Sequence, residues 1–431
     1  MQEGPDMDSF SLGEPAHRER PYPRFDAFPA DSNLFSGSRA RNCLPDNGRA
    51  SEPQHLIVER IVNSDGLEAL APTWQALHDQ ITPRTPFTSP LWNILWWKHY
   101  QSRRFSVRDE LCVQVVKDDR NRLIAVVPMM LTERPSKGPL RIRTLQCFGT
   151  DNNVTEIRGI VCKPEHQGQS LVALAKQLTG PTDSWDWIDW GVFRDDIGVR
   201  DTASLGSIHS DRQIIDYQLQ MPATWEEFRS SRSRNIKESL RKCYNSLKRA
   251  NLSARLQVVS TPDECPAALQ TFFRLHAHRA HTAGTVVHPD VFRGDQDKEF
   301  LTEYALEMAR RGQLRIFQLH VAEKIVAIRI AFLFDDELYL YYSGYDTEWG
   351  KFSVMTTLLA EALKWAITQK IAVVNLSTGA DVSKLRWDPT PINFRTAIQV
   401  APALHSRFAF AVYDRARRQP ALSSLLGWIR R

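Results

Sequence analysis

Long apolar runs are missing from this chain of 431 residues. None reaches the roughly 18 residues that a membrane-spanning helix needs, so no such span is expected. The first residues lack the apolar core of a secretory leader, which argues against export. Cysteine is scarce and scattered: Cys43, Cys112, Cys147, Cys162, Cys243 and Cys265 form no C-x-x-C pair and follow no regular spacing. Neither a zinc site nor a disulfide framework is suggested, and a reducing cytosol fits. An excess of one charge is also weak. The net charge of +5 and pI near 8.8 favour anionic partners such as phosphates or a membrane surface without requiring them, and nucleic acid does not follow. Residues 1–52 hold Pro, Gly, Ser, Arg and Asp without helical or strand periodicity, and read as a disordered leader. The remainder is long enough for two domains with cores of their own.

The clearest pattern lies between Leu314 and Trp387. Residues 314–321 and 325–334 alternate or run apolar across Ala322-Glu323-Lys324, and a third strand covers 337–343 with Leu338, Leu340 and Tyr342 on one face. This reads as an antiparallel meander. The chain then passes through Gly344-Tyr345-Asp346-Thr347-Glu348-Trp349-Gly350-Lys351-Phe352 into a helix over 354–368, with Ser353 as its N-cap. A buried strand at 371–376 leads into a polar loop from Ser377 to Pro389 that carries Lys384 and Arg386 beside Trp387.

The run Tyr342-Ser343-Gly344-Tyr345-Asp346 before a helix, with Lys384-Leu385-Arg386-Trp387 later, resembles the GNAT acyltransferases. The resemblance is closer to the double-GNAT branch of CelD/BcsL-type acetyltransferases, which is related to the Fem peptidyltransferases. It spans residues 229–387 and, more weakly, 56–217. It implies an α/β (α+β) fold of two tandem GNAT-like domains, each a mixed, mostly antiparallel sheet flanked by helices. In the GNAT plan the pyrophosphate of coenzyme A rests on backbone N–H groups where the helix after the third meander strand begins, since the helix dipole favours anions there. The matching residues are Gly350, Lys351, Phe352 and Ser353. Only Gly350 fits the family's Q/R-x-x-G-x-G/A loop, because Thr347 stands at the basic or amide position and Phe352 at the small one. That departure leaves the donor open between acetyl-CoA or another acyl-CoA and, as in the Fem branch, an aminoacyl-tRNA.

By the same resemblance Lys384 steadies either the phosphate of a nucleotide- or lipid-linked acceptor or the developing oxyanion, with Trp387 packed below it. A cation about 4 Å from an anion contributes roughly 4 kcal/mol at an effective dielectric near 20. Tyr345 suits protonation of a leaving thiolate and Asp346 suits a base, although both types are also common at strand-to-helix turns. Ser377, Thr378 and Arg386 complete an expected acceptor site.

The first half anticipates the second. A hairpin over 111–131 and a strand over 140–148 are followed by Gly149-Thr150-Asp151, a helix near 167–178 and a strand at 186–190. The same order of elements returns roughly two hundred residues later, as a duplicated domain would leave it. The first half has no counterpart of Lys384-Leu385-Arg386-Trp387, so catalysis is expected in the second. The expected organisation is a leader (1–52), an N-terminal domain (53–220), a catalytic domain (221–400) and a basic amphipathic tail (401–431).

Between the halves, Asn235 and Glu238 mark a helix start, and Ile236, Leu240, Cys243 and Leu247 share one face. Lys237, Arg241, Lys242, Lys248 and Arg249 occupy the others, with Arg229, Arg232 and Arg234 upstream. This is either a solvated face or a basic wall toward an anionic substrate, in which case Arg234, Lys237 and Arg241 contact it. In His276-Ala277-His278-Arg279-Ala280-His281 the first two histidines lie about 200° apart on a helix, so no metal is expected, and His276 is a candidate base. The tail, with Phe408, Phe410, Leu422, Leu425, Leu426 and Trp428 among arginines, suits a membrane interface or docking on its own domain, and docking is favoured.

The expected activity is acetyl-CoA-dependent N- or O-acetylation of a sugar or of an envelope or exopolysaccharide precursor. It belongs in the cytoplasm or at the inner face of the membrane, in contact with polysaccharide-synthesis machinery. Two rivals remain: a Fem-like aminoacyl-tRNA-dependent transferase, and a non-catalytic GNAT-fold protein that binds a partner.

Overall fold

The structure, a computed structural model, describes residues 55–136, 141–151, 153–179, 185–194, 208–209, 213–282 and 289–418. The expected leader and residues 419–431 of the tail lie outside the described residues. The first half runs β1 (Ile57–Ile61), α1 (Ser64–His78), α2 (Pro90–Tyr100), β2 (Arg108–Leu111), β3 (Val113–Lys117), β4 (Leu123–Val127), β5 (Met129–Arg134), β6 (Ile142–Cys147), β7 (Val161–Cys162), α3 (Gln167–Leu178), β8 (Trp187–Arg194), β9 (Ile208–His209) and β10 (Gln213–Gln220). Then come α4 (Trp225–Ser231), α5 (Arg234–Arg249), β11 (Ala254–Val259), α6 (Cys265–His281), α7 (Asp295–Arg310), β12 (Leu314–Val321), β13 (Lys324–Phe334) and β14 (Glu337–Tyr345). The chain continues with α8 (Val354–Thr368), β15 (Val373–Thr378), α9 (Val382–Leu385), β16 (Thr390–Val400) and α10 (Leu404–Arg418).

The fold is mixed α/β, with mostly antiparallel sheets flanked by helices. One large sheet has the order β11-β12-β13-β14-β15-β10-β16-β8-β6-β5-β2, and β9 pairs with β16. Its pairs are antiparallel except β14 with β15 and β6 with β8. Reading outward from β10 and β16, the two sides repeat. Each has a strand antiparallel to the central one, β15 or β8, which runs parallel to the next, β14 or β6, and that strand pairs antiparallel with β13 or β5. The strand that closes the first half, β10, lies beside β15, while β16 lies beside β8, so each half supplies a strand next to the other's.

The first hairpin departs from its counterpart. In the second half, β12 and β13 stay in the large sheet, whereas β3 and β4 form a separate sheet with the order β1-β3-β4-β7. The chain changes sheets at Pro128, between β4 and β5, where the missing N–H interrupts a ladder.

Helices cover both faces of the second half. α6 and α7 pack with α1 and α2 against Ile316, Ile328, Ile330, Tyr339 and Tyr341, whereas α5 and α8 pack against Phe317, Leu319, Leu338 and Leu340. The three tryptophans of α2 are all buried. Trp92 meets Phe300 and Tyr304 of α7 edge-on at 4.8 and 4.7 Å, which joins the halves through a shared core. Two helix starts differ from the sequence reading. Ser353 precedes α8 in a left-handed conformation (φ 55°), and its side chain makes no capping bond. α5 begins at Arg234, one residue ahead of Asn235, with Ser233 before it and no side-chain cap.

Candidate active site

Strands β14 and β15 pair only from Glu337–Val373 to Tyr339–Asn375, although β14 continues to Tyr345 and β15 to Thr378. Past that point the strands have no mutual ladder, and polar side chains gather at the opening. A bulge in β14 sets which ones. Between the pairs Arg329–Ser343 and Ala331–Leu340, β14 holds one residue more than β13. The alternation therefore breaks, and Tyr342 does not share a face with Leu338 and Leu340 as its spacing suggests. Its ring lies 4.6 Å from that of Tyr341 and 5.6 Å from that of His276, on the α6 face.

The three tyrosine hydroxyls of β14 hold a segment from the first half. Tyr342 donates to the Asn153 carbonyl at 2.7 Å, Tyr341 to the Val154 carbonyl, and Tyr339 to Glu156 Oε2 at 2.7 Å. The same carboxylate oxygen accepts from the N–H and the hydroxyl of Thr378, each at 3.2 Å. Oε1 has no partner among the described residues. Glu156 is thus held by one oxygen and offers the other, which is the arrangement a positioned general base needs. Burial and the Glu156 charge both push the Tyr339 phenol well above its ordinary range, so it stays a donor.

Lys384 meets this group at Thr378. Its Nζ donates to Ser377 Oγ at 3.0 Å and to the Thr378 carbonyl at 2.6 Å. Ser377 bends there with a positive φ of 67°, and its N–H is held by Asn375 Oδ1 at 2.7 Å. Desolvation lowers the lysine's pKa, while Glu156, Asp381 and Asp216 pull it back up. Asp216, fully buried on β10, accepts from Asn375 Nδ2 at 2.6 Å, and its Oδ1 is buried without a partner. Desolvation pushes this carboxyl up to about 7.

The residues expected from sequence fall into separate places. Lys384, Ser377 and Thr378 come together at the opening. Trp387 is fully buried below, against Phe228. Arg386 turns the other way, with NH2 2.5 Å from Thr356 Oγ1 in the first turn of α8 and NH1 3.5 Å from Ser239 Oγ of α5. Gly350, Lys351 and Phe352 close a short 3-10 helix over Thr347–Phe352, with the Lys351 ammonium over the Phe352 ring. Tyr345 stacks with the Arg279 guanidinium at 5.8 Å. Asp346 caps the 3-10 helix through the Glu348 N–H at 3.1 Å. His276 is buried among Phe272, Phe292 and Tyr342, with Nδ1 3.1 Å from the Ser343 carbonyl and a pKa lowered by desolvation. Its proton therefore sits on Nδ1, and its contacts do not reach Lys384. On α5, Arg234 pairs with Glu238 at 2.7 Å and Lys237 donates to the Ser230 carbonyl at 2.7 Å. Arg241, Lys242, Lys248 and Arg249 line an open, exposed concavity with Glu238 and Asn245. No cluster of three metal-ligating side chains occurs among the described residues.

Sequence reasoning missed Glu156 and Asp216. Glu156 lies 222 residues before the Thr378 it binds, and no local pattern marks it. Asp216 had a faint signal, as the lone carboxylate within the apolar strand β10.

Part of this site, including Tyr339, Ser377, Thr378 and Lys384, lies in a chain segment with a recognisable family signature. Residues 231–385 match the family model described as an acetyltransferase (GNAT) domain. That portion is an acyltransferase domain. No curated protein matches the chain. Among solved structures, a conserved protein of unknown function from Bacteroides thetaiotaomicron is 13% identical, with a TM-score of 0.48, over 80% of this chain and 100% of its own. FemX is 10% identical, with a TM-score of 0.49, over 78% and 96%. A tandem GNAT protein from the clavulanic acid biosynthesis pathway is 12% identical, with a TM-score of 0.41, over 81% and 100%. None of the three informs the substrate of this chain.

Proposed function

We propose that this chain transfers an acyl group, an acetyl group first among the candidates, from acyl-CoA to an amine or hydroxyl, with residues 221–400 as the catalytic domain and Glu156 reaching into it from the first half. The carrying observation is Glu156, fixed through one oxygen by Tyr339 and Thr378 beside Lys384 where β14 and β15 part. In this reading Glu156 takes the proton from the acceptor as its nitrogen or oxygen bonds to the thioester carbon. The tetrahedral oxyanion is stabilised by the Lys384 ammonium, the C–S bond then breaks, and Tyr345 donates its phenolic proton to the thiolate. The donor phosphates are assigned to the start of α8, where the helix dipole and Arg386 favour an anion. A sugar or envelope-precursor acceptor, and a site of action in the cytoplasm or at the inner membrane face, follow from the sequence resemblance. They are proposed on that ground.

The test is release of coenzyme A from acetyl-CoA by the full chain, with a panel of amino sugars and sugar precursors. At least one acceptor is expected to stimulate release. Glu156→Gln should lower that rate at least about 100-fold with donor affinity unchanged, and an unaltered rate in the variant overturns the assignment.

One observation favours a second reading. The exposed Arg241, Lys242, Lys248 and Arg249 of α5 suit a polyanion such as the tRNA of an aminoacyl-tRNA donor. That reading requires tRNA binding that weakens steeply with salt and is lost on charge reversal at Arg241 and Lys248.

A further inference from the structure

One end of the large sheet carries apolar tips with cations beside them. There β16 finishes at Val400, opposite Trp187 at the start of β8, and the register continues across β6 and β5 to Arg108 at the start of β2. Two segments stand on this end. α10 packs Phe410 and Tyr413 on Trp187 and Ile142, which leaves Leu404, Phe408 and Val412 on its outer side, 83, 73 and 53% exposed. Their spacing of four residues puts them in one row. The loop before β2 presents Phe105, 75% exposed, whose carbonyl accepts from the Ser136 N–H at 3.0 Å and hydroxyl at 2.7 Å. Ser136 lies just past Arg134, the ladder partner of Ile142, so this loop borders the ground on which α10 packs. Large apolar side chains exposed singly are ordinary, but four gathered at one end mark an interaction surface.

The charges around these tips identify the partner. Arg103 and Arg104 are exposed beside Phe105, and Arg407 and Arg415 are exposed on α10, within about 60° of Leu404 around the helix axis. The carboxylates of this end are turned inward or paired. Asp109, Glu133 and Asp186 are buried and accept from Thr132, Arg143 and Ser406, Glu110 pairs with Arg108 at 2.8 Å, and Asp414 is half-buried with a partner of its own. We propose that this end of the sheet docks on an anionic lipid bilayer, with Phe105, Leu404, Phe408 and Val412 entering the acyl boundary and the four arginines meeting lipid phosphates. The candidate active site opens at the same end. Asp216 of β10 pairs with both Thr378 of β15 and Ile392 of β16, and β15 and β16 run the same way, so both strands finish toward it. Docking would therefore bring a lipid-linked acceptor toward the opening, although the docking itself does not depend on the acyltransferase reading.

The experiment is co-sedimentation of the full chain with vesicles of phosphatidylcholine containing about 30% phosphatidylglycerol, against phosphatidylcholine alone. Wild type is expected to bind the anionic vesicles with half-saturation near about 0.1 mM lipid, and the neutral ones at least about tenfold more weakly. Raising potassium chloride from about 0.1 to about 0.5 M should release most of the bound protein. Phe105→Ser with Phe408→Ser should lower binding at least about tenfold while the melting temperature stays that of wild type, because both rings are exposed. Arg104→Ser with Arg415→Ser should bring binding to anionic vesicles down to the level of neutral ones. No binding by wild type, equal binding to the two vesicle types, or equal binding by the Phe105/Phe408 variant overturns the proposal. So does a lipid-free dimer in sedimentation velocity that this variant loses, which would give the face to a second copy. Vesicle binding by a chain that fails to turn over acetyl-CoA removes the acyl-CoA reading and leaves the docking surface standing.

Discussion

Asp216→Asn should stabilise the protein, and by an amount that grows with pH. The Asp216 carboxyl is fully buried with Oδ1 unpartnered, and its pKa is raised from the ordinary 3.8 to about 7. The folded chain therefore holds this proton more tightly than the unfolded chain does. Stability falls as pH rises from about 4 to about 7, and above that range the full cost is present. At roughly 1.4 kcal/mol per pH unit, the ionised carboxyl costs about 4 kcal/mol at pH 8, but only about 1.5 kcal/mol at pH 5, where the native carboxyl is still protonated. The amide has nearly the same shape, never ionises, and keeps an oxygen to accept from Asn375 Nδ2. Urea unfolding of wild type and variant at both pH values isolates this group, because every other titration is common to the two proteins. The expected gain is about 2.5 kcal/mol larger at pH 8 than at pH 5. A gain equal at both values, or a variant less stable than wild type at pH 8, would refute the reasoning.

Three further substitutions probe the neighbourhood. A Cβ on Gly344 would lie 2.4 Å from the His276 backbone nitrogen and 2.6 Å from the Leu275 carbonyl carbon, so Gly344→Ala must push α6 off β14. It should cost about 3 kcal/mol in thermal unfolding. Gly350→Ala, whose Cβ meets only the Tyr345 ring at 3.8 Å, should change stability by less than about 0.5 kcal/mol. Lys384→Ala should lower acceptor-dependent coenzyme A release about 100- to 1000-fold, as expected for loss of a charge beside the oxyanion. Unaltered release would remove Lys384 from the site.

The β12–β14 meander was legible in the sequence because its strands alternate with a period of two and end in tight polar turns. Lys384, Ser377 and Thr378 were legible because they are close along the chain and sit on one loop. What escaped depends on long-range pairing. Nothing near residue 156 announces that the β14 tyrosines will draw that segment from the first half into the opening. The bulge that turns Tyr342 toward α6 leaves the spacing of Leu338, Leu340 and Tyr342 unchanged, so the sequence alone reads one face where the structure has two. The exchange of β10 and β16 between the halves follows from neighbours that are distant in sequence. The hairpin read over residues 111–131 runs straight through Pro128, so neither the break between β4 and β5 nor the change of sheet that accompanies it was legible. The tail reading addressed residues 401–431 as a whole. In the described part, Phe410 and Tyr413 dock on Trp187, while Leu404, Phe408 and Val412 remain exposed along one face of α10.

The most direct test of the acyl-CoA reading is calorimetric titration of acetyl-CoA into the full chain, with Arg386→Ala and Glu156→Gln alongside. Saturable micromolar binding, weakened at least about tenfold by Arg386→Ala and unchanged by Glu156→Gln, is the predicted result. Absence of binding at millimolar acetyl-CoA would contradict it.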